Sequence, residues 1–309
     1  MTRIVSLLAS GTEIVDELGL GDRLVAISHE CDYPHALLDL PRVSRPRFDP
    51  EGLTSGEIDR AVRTAMLEHG SVYAIDGDLL ERLDPDVILT QAVCEVCAVP
   101  TGGVERTLEE RGLTADIVSL DAHTIDDILS SIVQVGEATA ARESARRSVA
   151  SLRSRLEAVK TSVAGATRPR VLAIEWLDPP FTPGHWVPEM IERAGGLNLM
   201  GDAGQPSAQV EWEDLVGLDA DALVIMPCGY GVDAARADAD AHAPRLAELA
   251  PRAIADRRAW VVDASAYFNR SGPRFVTGVE ILAGLLHPGR LSPPGPDKAR
   301  EWPDRREAR

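Results

Sequence analysis

Aromatic side chains are scarce in this chain of 309 residues: four Phe, four Tyr and five Trp, or 4%. A core must therefore be built from aliphatic residues, and each ring near a strand end is worth locating. Lysine is scarcer still, with only Lys160 and Lys298 among 32 basic residues. Against 49 acidic residues this leaves a net charge of −17. That balance excludes a nucleic-acid backbone as partner, because such a role needs a basic face. An acidic, lysine-poor surface suits a high-salt habitat, and GC-rich coding favours the same bias. No run approaches the ~18 apolar residues that cross a bilayer, so no membrane-spanning segment is expected. A secretory leader has no place either, since Arg3-Ile4-Val5-Ser6-Leu7-Leu8 already reads as a core strand. As written, the chain is expected in the cytoplasm, and outside it only if the true start lies upstream.

What is present is enough for two domains. Hydrophobic residues make up 44% of a length that is long for one core. Strand-like runs near 3–8, 23–28, 86–90 and 116–119 alternate with helix-like segments, and the pattern repeats near 170–175, 221–227 and 259–263. Such alternation signals βα units around parallel sheets. Thr12 is positioned to cap a helix over Glu13–Leu18, and Ser55 to open one that Gly70 closes. Helices are also expected near 187–194, 212–217, 244–255 and 273–286. Between the halves, Ile125 to Val163 reads as one helix of roughly 50–60 Å, with Leu152, Leu156, Val159 and Val163 as its apolar stripe. His123, Asp126 and Asp127 read as the chemistry of its start. The expected organisation is an N-terminal lobe at 1–124, an inter-lobe helix at 125–165, a C-terminal lobe at 166–288 and a disordered, proline-rich tail at 289–309.

All four cysteines sit just past strand-like runs: Cys31 after Leu24–Ile27, Cys94 and Cys97 after Val87–Leu89, and Cys228 after Ala222–Met226. Ligands of open α/β sheets bind outside the carboxyl ends of the strands, so the thiols are directed toward one cleft. Cys94-Glu95-Val96-Cys97 has a chelating spacing, and four thiolates could hold zinc or an iron–sulfur cluster, with His29 nearby. The alternative is that they are small buried hydrophobes, the preferred reading for Cys228 alone. Glu175-Trp176, His185-Trp186, Tyr230 and Tyr267-Phe268 also fall at strand exits. That supply of rings suits a flat macrocycle, although Trp176 and Trp186 could instead cap the lobe core. No Gly-rich phosphate loop, nucleophile elbow or His-Glu-x-x-His motif occurs, and no catalytic residue is nominated.

Two α/β lobes joined by a long helix resemble the class III substrate-binding proteins of ABC transporters. Arg3–Leu7 with Thr12-Glu13 is similar to that family's opening strand and turn. Ser28-His29-Glu30-Cys31-Asp32-Tyr33-Pro34 resembles the second-strand exit of its vitamin B12 (cobalamin) binding members. Leu83-Asp84-Pro85-Asp86-Val87, Asp178–Gly184, Ala194–Asn198 and Tyr267–Arg274 match further stations in order, to about Leu286. The resemblance implies a corrinoid or similar metal chelate held between the lobes. Glu13, His29, Glu30 and Tyr33 would line the first lobe's side. Glu175, Trp176, His185, Trp186, Tyr230, Tyr267 and Phe268 would line the second. It also implies an ABC transporter permease as partner, met by Asp78 or Glu81 on one lobe and Glu213 on the other. The segment 45–75 looks like an insertion, and the cysteine set is not part of the cobalamin-binder pattern. Two alternatives therefore stand beside capture: a cytosolic metalloprotein or redox enzyme built on Cys31, Cys94, Cys97 and Cys228, and a cytosolic cofactor chaperone.

Overall fold

The computed structural model describes residues 1–92 and 99–304. The first lobe comprises β1 (Ile4–Ser6), α1 (Ala9–Glu17), β2 (Leu24–Ala26), β3 (Ser44–Pro46), α2 (Ser55–His69), β4 (Tyr73–Ile75), α3 (Gly77–Leu83), β5 (Val87–Thr90), α4 (Thr101–Arg111) and β6 (Asp116–Ser119). Its parallel sheet has the order β2-β1-β5-β6, while β3 and β4 form a separate antiparallel pair. Two helices, α5 (Ile125–Ala138) and α6 (Arg142–Val163), lead to the second lobe. That lobe opens with β7 (Arg170–Ile174), β8 (Trp176–Leu177), β9 (Pro180–Thr182), α7 (Val187–Arg193), β10 (Leu197–Asn198), β11 (Ala208–Gln209) and α8 (Trp212–Leu215). It closes with β12 (Ala222–Ile225), α9 (Val232–Ala241), α10 (Ala243–Leu249), α11 (Pro251–Ala255), β13 (Ala259–Val262), α12 (Ala264–Tyr267), α13 (Phe275–Leu286) and β14 (Ala299–Glu301). Its main sheet has the order β10-β7-β12-β13-β14, parallel except for β14.

Both sheets are covered on two faces, and the strands alternate between them as the pleat requires. Ile4, Val171 and Val224 point to a back cluster; Val5 and Ile88 point to a front cluster in lobe one, and Leu172 and Ile225 to one in lobe two. The back cluster runs through both lobes, joining Ile128, Leu156, Met190, Phe275 and Leu282 in one apolar body. The two front clusters are separate, each within its own lobe.

Three expectations need correction. The connector is not one helix: it turns at Thr139–Ala141, where Ala140 has φ 56°. Gly136 permits the close return, since a Cβ there would lie 2.5 Å from that of Ala145. No proline marks the break, and the alanine-rich sequence favours helix throughout, so only packing reveals it. The bridging role falls to α6, about 33 Å long, with Leu152, Leu156 and Val159 buried. The tail is folded through Asp304, because β14 pairs with β13 and Trp302, 2% exposed, donates its indole N–H to Asp240 at 2.7 Å. Finally, α1 begins at Ala9, one turn before the expected cap, which leaves Thr12 inside the helix and buried.

Candidate functional site in the inter-lobe cleft

The carboxyl ends of the parallel strands in the two sheets face each other, and an arginine cluster joins them at the β2–β13 side. Arg270, on the loop after α12, donates to both carboxylate oxygens of Asp32, to Glu13 at 3.3 Å and to the Glu30 carbonyl at 3.2 Å. Arg274 binds Glu13 through two bonds of 3.0 and 2.6 Å, and its guanidinium lies 4.4 Å from the Tyr33 ring centre and 5.6 Å from that of Tyr267. Glu13 is 3% exposed. It is thus an inter-lobe anchor, closed to a ligand, and two cations compensate its buried charge. The Asp32 carboxyl is held below its usual range by these arginines, against the opposing effect of burial.

Next to this anchor the cleft has two walls. On lobe one, His29 and Tyr73 rings lie 4.8 Å apart, and the Tyr73 hydroxyl donates to Glu30 at 2.9 Å. The imidazole of His29 shares a 2.9 Å hydrogen bond with Ser44, and burial next to Arg42 pushes it down to about 4, so it is neutral at physiological pH. Crowding by protein raises the Glu30 carboxyl even though Tyr73 and Arg270 favour its charge. On lobe two, the rings of Trp176 and Tyr230 meet edge to face at 5.3 Å. Glu175, which precedes Trp176, is 8% exposed and accepts a 2.6 Å hydrogen bond from Ser207, and burial lifts it to about 7. Cys228 opens into the cleft, yet protein fills most of the volume around it. Both hold at once in a narrow cleft: solvent reaches the residue, but ionisation of its thiol is costly. Desolvation, with the Glu175 and Glu30 charges, pushes the thiol up to about 12.

Other candidates lie elsewhere. Phe268 is fully buried, and Trp186 donates its indole N–H to the Phe268 carbonyl at 2.8 Å; both belong to the back cluster. Large rings at strand exits pack inward here because the shared core needs them. His185 sits in the seam with φ 51°, its ring 5.6 Å from that of His123 on lobe one. Tyr267 is half-buried under Arg274 and Lys298.

Among the described residues, the thiols of Cys31 and Cys228 belong to no metal-holding group. Cys31 is 3% exposed and shares a 3.1 Å hydrogen bond with Thr12, with burial raising its thiol further. Cys94 and Cys97 lie outside the described residues. Among the described residues no three His, Cys, Asp or Glu side chains are grouped to hold a metal. The donor set in view therefore does not fit zinc or an iron–sulfur cluster. The acidic groups expected at a permease are exposed: Asp78 and Glu81 on α3 flank Arg111, and Glu213 on α8 lies 3.6 Å from Arg245. Such surface pairs are worth little and break readily. Sequence reading missed Tyr73 and Ser207, which follow no strand-exit pattern; Tyr73 reaches the cleft only through the pairing of β4 with β3.

A family model described as "Periplasmic binding protein" matches residues 4–256. A vitamin B12-binding protein of Vibrio cholerae is 26% identical over 288 residues, covering 92% of this chain and 88% of its own. An ABC transporter substrate-binding lipoprotein of Bacillus subtilis is 26% identical over 292 residues, covering 93% and 80%. Among solved structures, a periplasmic haem-binding protein of Pseudomonas aeruginosa superposes with a TM-score of 0.71 at 22% identity, covering 97% of each chain. A periplasmic vitamin B12 binding protein of Vibrio cholerae does so with 0.67 at 25% identity, covering 92% of this chain and 96% of that one. No helix among the described residues is long and apolar enough to cross a membrane.

Proposed function

The chain belongs to the periplasmic binding protein family, and from that premise we propose that it captures a corrinoid in the inter-lobe cleft for an ABC transporter. The observation that carries this reading is the pairing of ring walls with committed cations. His29–Tyr73 and Trp176–Tyr230 offer apolar faces from opposite lobes. The arginines at the strand exits, Arg270, Arg274 and Arg42, are each engaged by carboxylates or carbonyls of the protein. Glu30 and Glu175, both raised, add acidic groups to the same space. Carboxylate-bearing macrocycles such as haem would meet no uncommitted guanidinium among these and would bring negative charge beside carboxyls already disfavoured as anions, whereas the amide-fringed corrin carries no such carboxylates. Asp78 or Glu81 on the first lobe and Glu213 on the second would meet the permease.

Calorimetry and visible spectra with cyanocobalamin and with hemin test the reading. Micromolar or tighter cyanocobalamin binding with much weaker hemin binding supports it. Hemin binding tighter than cyanocobalamin, or no cobalamin binding at millimolar concentration, overturns it.

A further inference from the structure

We infer that the excursion from residue 47 to 72, carrying α2, is a hinged flap that gates the cleft from the front. The inference rests on the cleft being the ligand site and adds how that site opens. The excursion starts and ends at one place. Ser44, Arg45 and Pro46 pair with Ile75, Ala74 and Tyr73, and the Arg47 N–H donates to the Val72 carbonyl at 2.9 Å. This two-stranded stem belongs to lobe one, but the far end of α2 rests on lobe two. There Ser55 donates to Asp238 at 2.9 Å and Arg63 to Gln209 at 2.9 Å. Gly56 approaches so closely that a Cβ would overlap the Asp178 carboxylate. The helix packs on β8, the strand that carries Trp176 of the ligand wall.

Two features make this crossing the gate. The back of the molecule is one apolar body shared by both lobes, so opening the lobes about the front would tear a continuous core. The flap, by contrast, holds lobe two by polar bonds, while its apolar contacts, through Phe48, Val62 and Met66, are with the front cluster of lobe one, and only Ser55, Gly56 and Ala65 of α2 are buried. The N-terminal end of α2 also faces the carboxylates of Asp178 and Asp238, which its dipole favours. Releasing these bonds costs little, because water replaces the partners. The stem ends at Tyr73, whose hydroxyl holds Glu30 in the cleft, so flap position and ligand wall are mechanically joined.

The test uses Gly56→Leu, which wedges the flap away from Asp178, and the double variant Ser55→Ala with Arg63→Ala, which removes its polar hold. Stopped-flow mixing with cyanocobalamin should show both association and release accelerated about tenfold in either variant, with the urea midpoint of the whole protein unchanged. Hydrogen exchange without ligand should rise at Trp176–Thr182 and Ser55–Ile58 and stay constant in α6 and α13. If wild type does not bind cyanocobalamin, the ligand reading falls and the exchange data alone decide the flap. Exchange in these segments equal to wild type in both variants, or unchanged cyanocobalamin rates, overturns the gate.

Discussion

At the back of the molecule the two lobes meet through Ile128, Leu156 and Phe275 in a cluster neither could build alone; at the front they meet through hydrogen bonds to Asp238 and Gln209. The difference separates two duties. An apolar contact is nondirectional and loses free energy with every exposed methylene, so it fixes the lobes. A polar contact exchanges its partners for water at little net cost, so it can be made and broken around a ligand. The Arg270–Arg274–Glu13 cluster stands between these extremes, polar but largely shielded from water, with Asp32 at its exposed rim.

Breaking the back should cost most. Phe275, 1% exposed, replaced by Ala is expected to lose about 4 kcal/mol in urea titrations. Far-UV dichroism and tryptophan fluorescence should still report one transition, since both lobes share the core. Arg270→Ala should follow at about 3 kcal/mol, because Glu13 keeps only Arg274 and Asp32 loses its main partner. Separate unfolding of the lobes in either variant would show that the back is less unified than the packing implies. At the cleft, Trp176→Ala should leave the urea midpoint within experimental error and weaken cyanocobalamin about tenfold in calorimetry. Glu175→Gln sharpens the contrast through pH. A carboxyl raised from 4.5 to about 7 binds its proton more tightly folded than unfolded, so it lowers stability as pH rises from 4.5 through 7. His29, lowered from 6.5 to about 4, has the opposite sign and lowers stability as pH falls from 6.5 toward 4. The Gln variant should thus be steadier than wild type at pH 8 while keeping the acid-side loss. Smallest of all, Leu67→Glu on the outer face of α2, at a residue 89% exposed, should stay within ~0.5 kcal/mol of wild type.

The strands and most helices were legible because their signals are local: apolar runs such as Ala222–Met226, and a closing glycine such as Gly70, although α2 is capped by Thr54, one residue before the expected Ser55. The turn at Thr139–Ala141 was hidden because its cause is the meeting of Gly136 with Ala145, a contact that propensity cannot register. The same limit applied to the site. Trp176 and Tyr230 follow strand ends and meet in the cleft, but Trp186 and Phe268 follow strand ends and turn inward, because the shared core lies behind them. Tyr73 was invisible for the converse reason: only the β3–β4 pairing carries it to Glu30. The tail misled through composition, since proline and charge outweighed the two residues that matter, Ala299 and Trp302, both buried.

That tail has a further consequence. A parallel sheet ending at β13 would present a bare row of backbone donors and acceptors, a template on which any extended peptide could zip. β14 occupies the row with three paired residues, Ala299 to Glu301, and Arg257 clasps Glu301 from outside at 2.7 Å. The clasp and the strand together act as a selvedge. Removing residues 289–304 should therefore do more than shorten the chain: it should convert a covered sheet edge into a sticky one, prone to edge-to-edge association.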